Sequence, residues 1–137
     1  MLAVIDTNIF ISYLLLPNSR PAKIITLWQR GKFDVLTAKP QIDELMTVTR
    51  YPKIKERISS VLAGRLINEL RDLSIMVDYL PKVGVSPDPY DNYLLSIAIG
   101  GGADYFVSGD KTDLLALKKY DGVSIISVTN FLKQTGF

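Results

Sequence analysis

Leu2-Ala3-Val4-Ile5-Asp6-Thr7-Asn8 is an unbroken apolar run that ends in an acid and two hydrogen-bonding residues. Its shortness and the capping acid predict a buried strand over 2–6 handing over to a helix over 9–15. The same pattern returns late in the chain, where Tyr105-Phe106-Val107-Ser108-Gly109 runs into Asp110. Strands without polar alternation are buried on both faces. They belong to parallel sheets, whose ligands gather beyond the C-terminal strand ends. Asp6 and Asp110 are therefore expected at one sheet edge, with Asp91 opening a helix between them. Clustered carboxylates repel one another and lose hydration, so such a cluster calls for a cation.

Working outward, further strands are predicted over 33–36, 75–80, 105–107 and 123–126. Helices are predicted over 21–30, 39–50, 55–73, 89–99, 112–119 and 129–134. Pro21 lies in a first turn and Gly31 just past a last one. Pro52 stops the third helix, Asp88 caps the helix at 89, and Gly100-Gly101-Gly102 ends it. Strands alternating with helices imply an α/β fold, a three-layer α/β/α sandwich with a central parallel sheet. No repeat or linker interrupts it, and residues 1–137 read as a single domain.

Composition narrows the chemistry. The chain has 137 residues, 47% hydrophobic and 22% charged, which suits a globular domain burying roughly 68% of its unfolded surface. Cys and His are both absent, which removes disulfides, thiolates, zinc sites and the commonest general base. Oxygen ligands remain, and they suit Mg²⁺ or Mn²⁺. The opening apolar stretch is too short for a signal peptide, and no run approaches the ~20 residues of a membrane span, so a cytoplasmic protein with no membrane partner is expected. A net charge of +2 beside an acidic site places the positive charge elsewhere, compatible with a polyanionic substrate gripped at the rim.

Each acid has a structural reading beside a functional one. Asp6 serves equally as the N-cap of the helix it precedes. Asp88 and Asp91 form a capping-box-like pair, yet Asp91 shares a helical stripe with Leu94, Leu95 and Ala98 and so points inward. Asp110 and Asp113 favour a helix start; the Ser108-Gly109 bend would aim Asp110 at Asp6 if their strands are neighbours. Glu44 lies off the Ile42, Leu45 and Met46 stripe, where solvated glutamates are common. Thr7 and Asn8 are local partners for the first carboxylate or a bound water, with Asn92 a further supporting group. The basic run Arg50, Lys53, Lys55 and Arg57, with Tyr51 interleaved, could meet phosphates and stack a base, as could Lys111. A solvated helix connection explains the run equally well. Trp28 and Phe33 are expected in the core.

Taken together, Asp6-Thr7-Asn8, Glu44 in an early helix, Asp88-Pro89-Tyr90-Asp91-Asn92, and Gly101-Gly102-Ala103-Asp104-Tyr105 running on to Gly109-Asp110-Lys111 resemble a PIN domain. The likeness extends to the VapC-like toxins of prokaryotic toxin–antitoxin systems and covers essentially the whole chain. It implies a parallel sheet flanked by helices and a Mg²⁺- or Mn²⁺-dependent ribonuclease, with Asp6, Glu44, Asp91 and Asp110 as its acids and Asp113 in addition. It also implies an antitoxin partner and a homodimer. Thr112 separates Lys111 from Asp113, whereas many relatives carry the second acid one residue earlier.

The expected reaction is metal-assisted hydrolysis of RNA phosphodiester bonds, with Asp6, Asp91 and Asp110 holding one or two ions and Glu44 orienting a water. Two other classes compete. One is a catalytically silent module of the same fold acting through a protein partner. The other is an aspartyl phosphotransfer protein, which usually has a second acid directly beside its nucleophile, where this chain has Thr7.

Overall fold

A computed structural model describes residues 1–109 and 112–137, the side chains of 112 and 113 aside. The first strand, β1 (Leu2–Ile5), leads through Asp6 into α1 (Thr7–Leu15), and α2 (Arg20–Gln29) follows. Then come β2 (Asp34–Thr37), α3 (Lys39–Thr49), the short α4 (Pro52–Lys55), α5 (Ser60–Leu73) and β3 (Ile75–Met76). The chain finishes with α6 (Pro89–Gly101), β4 (Tyr105–Ser108), α7 (Thr112–Ala116), β5 (Lys119–Tyr120), β6 (Val123–Ser127) and α8 (Val128–Thr135). The six strands lie in the order β3-β2-β1-β4-β6-β5.

Every pairing is parallel except that of β5 with β6. The wholly parallel sheet expected from sequence therefore gains an antiparallel edge. The cause is local: Asp121-Gly122 forms a two-residue turn with both φ values positive, 49° and 84°. That is the turn chemistry that closes tight hairpins, so Lys119-Tyr120 pairs back on β6 and the helix expected to reach 119 ends at Ala116. Two other boundaries shift. The helix expected over 55–73 is split, because Pro52 starts a separate turn and Ser59 caps α5 through the Leu62 N–H at 3.2 Å. The strand expected over 75–80 pairs only at Ile75 and Met76.

Strand alternation builds two cores. Ile5, Val35, Val107 and Ile126 face a cluster filled by α1, α2, α3, α5 and α8, which includes Trp28 and Phe33. Val4, Leu36, Phe106 and Ile125 face the opposite cluster, filled by Leu94, Leu95, Ile97 and Ala98 of α6 and Leu114 of α7. This is the three-layer sandwich. α6 lies very close to the segment after β3: a Cβ at Gly100 would land on the Tyr79 carbonyl oxygen. Gly102, at φ 69°, ends the helix in the left-handed region. Asp104 then ties the loop to β1 by accepting from the Leu2 N–H at 2.9 Å.

Candidate active site

The register fixes what meets at the C-terminal edge. Val4 pairs with Leu36, and Ile5 with Val107, so Thr37 stands level with Ile5 and Ser108 level with Asp6, just beyond the apolar centre of the sheet. Thr37, Asp6 and Ser108 are closed to solvent. Asp6 donates its own N–H to the Val107 carbonyl at 3.0 Å, which holds the residue against β4. Its Oδ1 accepts from the Asn8 N–H at 3.0 Å, the N-cap bond of α1, while Oδ2 faces the Gly109 N–H at 3.5 Å. The capping and functional readings are thus compatible, since one oxygen caps and the other looks towards Gly109. The two strands are neighbours, as the geometric reading of Asp110 required. Asp110 and Lys111 lie outside the described residues, as does the side chain of Asp113.

A hydrogen-bonded chain runs beside Asp6. Gln41, buried in the first turn of α3, donates through Nε2 to the Ile5 carbonyl at 2.8 Å and to Thr7 Oγ1 at 3.2 Å. Its Oε1 accepts from Thr37 Oγ1 at 2.6 Å. Thr7 Oγ1 in turn bonds the Tyr90 hydroxyl, and Tyr90 reaches the Glu44 carboxylate. One donor order satisfies every group: Thr37 to Gln41, Gln41 to Thr7, Thr7 to Tyr90, Tyr90 to Glu44. Burial drives the Tyr90 hydroxyl far above the ordinary tyrosine range. The bond from Thr7 opposes that rise, while Glu44 and the Asp6 charge add to it. Glu44 also acts on Tyr93, whose hydroxyl is pushed up to about 12, chiefly by burial. Glu44 is off the apolar stripe of its helix, but it is half-buried and faces the start of α6.

Asp91 is 3% exposed. Asp88 caps α6 by accepting from the Tyr90 N–H at 2.9 Å, which leaves Asp91 in the first turn on the same side as Leu94 and Leu95. Ser86 Oγ approaches Asp91 Oδ2 at 3.5 Å. Asn92 secures that loop, accepting from the Ser86 N–H and donating to the Ser86 carbonyl, both at 2.8 Å. Its contribution is to loop shape.

The structure therefore brings Asp6, Thr7, Glu44 and Tyr90 together. Asn8 takes part through its backbone, its side chain being exposed. Arg50, Lys53, Lys55 and Arg57 are exposed. Arg50 ends α3, six residues and roughly 9 Å of helix beyond Glu44, so the run starts at the end of α3 away from Gln41. Sequence reading missed Thr37, Gln41, Tyr90 and Ser108. The available signal was polar residues at the ends of apolar strands, as with Val35-Leu36-Thr37, and the three-residue spacing of Gln41 and Glu44.

As a donor set the site is all oxygen and rich in carboxylate, which fits a hard divalent ion. Among the described residues no group of three or more acidic side chains could hold a metal, so Asp6 and Asp91 would need a further ligand from outside them. No helix among the described residues is long and apolar enough to cross a membrane.

The chain is similar to several known proteins. An uncharacterized protein from Methanocaldococcus jannaschii is 29% identical over 118 residues, 84% of this chain and 74% of that one. Among solved structures, VapBC2 from Rickettsia felis, crystallised bound to a DNA fragment from their promoter, superposes with a TM-score of 0.60 at 13% identity. That match covers 93% of this chain and 98% of the other. The PIN domain of human SMG5 superposes with a TM-score of 0.54 at 18% identity, covering 98% and 99%. Both show the shared fold. The family model for the PIN domain matches residues 3–112, a span that runs from β1 through Asp6, Glu44 and Asp91 to the start of α7, and on that match the chain belongs to the PIN domain family.

Proposed function

We propose that this chain is a divalent-metal-dependent ribonuclease that hydrolyses RNA phosphodiester bonds. The observation that carries the reading is Asp6: a carboxylate closed to solvent at the end of β1, in a PIN domain, beside Glu44 and Tyr90 and turned towards Gly109, the residue before Asp110 in the sequence. Burying charge is costly, and a protein that retains it at a strand end uses it.

Asp6, Asp91 and Asp110 would hold Mg²⁺ or Mn²⁺, with Glu44 and Asp113 as further acids. Bound there, the ion would lower the pKa of a coordinated water and offset charge on the phosphoryl oxygens. The chain's own residues do the positioning. Asn8 and Gly109 direct N–H groups at Asp6 and fix its two oxygens. Tyr90, held by Thr7, donates to Glu44 and keeps that carboxylate turned inward at the start of α6. Tyr90 stays protonated throughout the neutral range, so it acts as a donor and not as a base. The test is cleavage of a panel of structured and unstructured RNAs with Mn²⁺, Mg²⁺ or chelator, beside Asp91→Asn. Metal-independent cleavage, or full activity in the variant, refutes the reading.

We further propose a role as the toxin of a toxin–antitoxin pair, with an antitoxin partner, a homodimeric state and a cytoplasmic location. Support comes from the sequence resemblance and from the fold shared with VapBC2. Expression alone should arrest growth, and a co-expressed neighbouring gene product should relieve it. The silent-module alternative draws on the lack of a three-acid group among the described residues. Calorimetric titration with Mn²⁺ separates the two, because a silent module need not bind the ion.

A further inference from the structure

A cleft of about 490 Å³ adjoins the Asp6 site. Its wall includes Asn8 and Gly109, the two residues whose N–H groups face the Asp6 carboxylate, so cleft and acidic site share a boundary. Among the described residues its one charged lining residue is Arg20, at the start of α2. Nη1 of Arg20 donates to Thr129 Oγ1 of α8 at 3.1 Å. This bond uses one of five guanidinium donors and steers the fork, leaving the others for a ligand. Beyond Arg20 the seam between α2 and α8 continues into shallower clefts carrying Lys23 and Lys133. Among the described residues, no acid lines any of the three clefts. The first turns of α1, α2 and α8 border the main cleft.

We propose that this cleft seats a backbone phosphate of single-stranded RNA flanking the bond held at the acids, with Arg20 as its anchor and Lys23 and Lys133 extending the track. The inference rests on the ribonuclease reading. Its physical basis is charge separation across a shared wall. Buried carboxylates repel a polyanion, and an adjacent row of cations, with no acid lining it among the described residues, holds the strand against that repulsion. Backbone contacts of this kind position a strand without reading its sequence.

The test is fluorescence anisotropy of a labelled single-stranded RNA of roughly twelve nucleotides, in EDTA across a salt series, with cleavage measured separately in Mn²⁺. Arg20→Gln should bind about tenfold more weakly, equally for different sequences, with the log–log salt slope flatter by about one. Thr129→Val, which frees the guanidinium without removing it, should fall between the variant and wild type. Arg30→Gln, exposed at the far end of α2, should bind as wild type. Circular dichroism confirms that each variant folds, and Arg20→Lys, retaining the charge, should recover part of the affinity.

Wild-type affinity and slope in Arg20→Gln overturn the proposal, as does a wild-type protein that binds no RNA at any salt concentration. The two readings fail separately. RNA held through Arg20 but never cut in Mn²⁺ removes the nuclease and leaves the cleft. Metal-dependent cleavage with an unchanged KM in Arg20→Gln removes the cleft and leaves the nuclease.

Discussion

The middle of β1 and its C-terminal end are equally dry and chemically opposite. Ala3, Val4 and Ile5 have no solvent exposure, and neither does Asp6. In the middle, burial removes apolar surface from water and stabilises the fold by roughly 25 cal/mol per Å². At the end, burial strips water from a carboxylate, Gln41 and Thr37, and each must recover its hydrogen bonds within the protein. The middle therefore acts through stability alone, whereas the end combines a helix cap with a buried charge that stability by itself does not favour. Substitutions in the two places should separate stability from activity.

The largest effect is expected at Asp6→Asn. Asparagine caps a helix as well as aspartate does, so the melting temperature should hold or rise as a buried charge disappears. Metal-dependent RNA cleavage should fall on the order of a hundredfold or more, at least what loss of an outer-shell partner costs. Near-normal cleavage would erase the distinction between the two regions. Phe131→Ala tests the opposite case. Phe131 is fully buried and packs edge-on against Phe33 and Tyr105, with ring centroids 5.3 and 5.5 Å away. Denaturant titration should show a loss of about 3–5 kcal/mol, with cleavage per folded molecule unchanged.

Gly100→Ala sharpens the packing side. Helix propensity alone favours alanine by about 1 kcal/mol. The added Cβ would meet the Tyr79 carbonyl oxygen and lie 3.1 Å from Pro81 Cδ, backbone and ring atoms that cannot rotate aside. Overpacking of this kind costs about 1–3 kcal/mol, so the variant should melt lower despite its better helix former.

Most of the fold could be read from the sequence for the same reason that the comparison works. Continuous apolar runs ending in polar residues identified β1 and β4, and capping residues such as Asp88 marked the helix starts. What escaped depended on tertiary context. The Asp121-Gly122 turn is a local signal, yet a helix extended to 119 leaves no strand before it to pair back on β6. The two-residue β3 is short because the chain leaves the sheet to pass beneath Gly100, which no periodicity records. At the site, Asp6 was legible from its strand, while Glu44 was ambiguous because helical spacing shows what faces the core and not what faces another helix end. Tyr90 was hidden by its type, since tyrosines beside a cap usually need no explanation. Its role emerges only when Thr7 and Glu44 are placed on either side of it.

Thr7→Val probes the polar edge without touching a charge. The change is nearly isosteric, but it leaves the Gln41 amide one acceptor short and the Tyr90 hydroxyl one partner short. Stability should fall by about 1–3 kcal/mol, and cleavage should drop less than in Asp6→Asn, because Glu44 loses its fixed donor geometry but keeps its charge.

The smallest effect is expected in alkaline solution. Tyr93 titrates near its ordinary value when unfolded and at about 12 when folded, because burial opposes its ionisation. A raised folded pKa means that stability is complete below the unfolded value and is lost as pH climbs towards the folded one. Melting temperature should therefore decline between about pH 10 and about pH 12. Tyr93→Phe carries nothing to ionise in either state, so its decline should be shallower than that of the wild type. If the two curves run parallel, the Tyr93 hydroxyl is as well hydrated in the fold as out of it, and the dry polar edge does not extend as far as the second turn of α6.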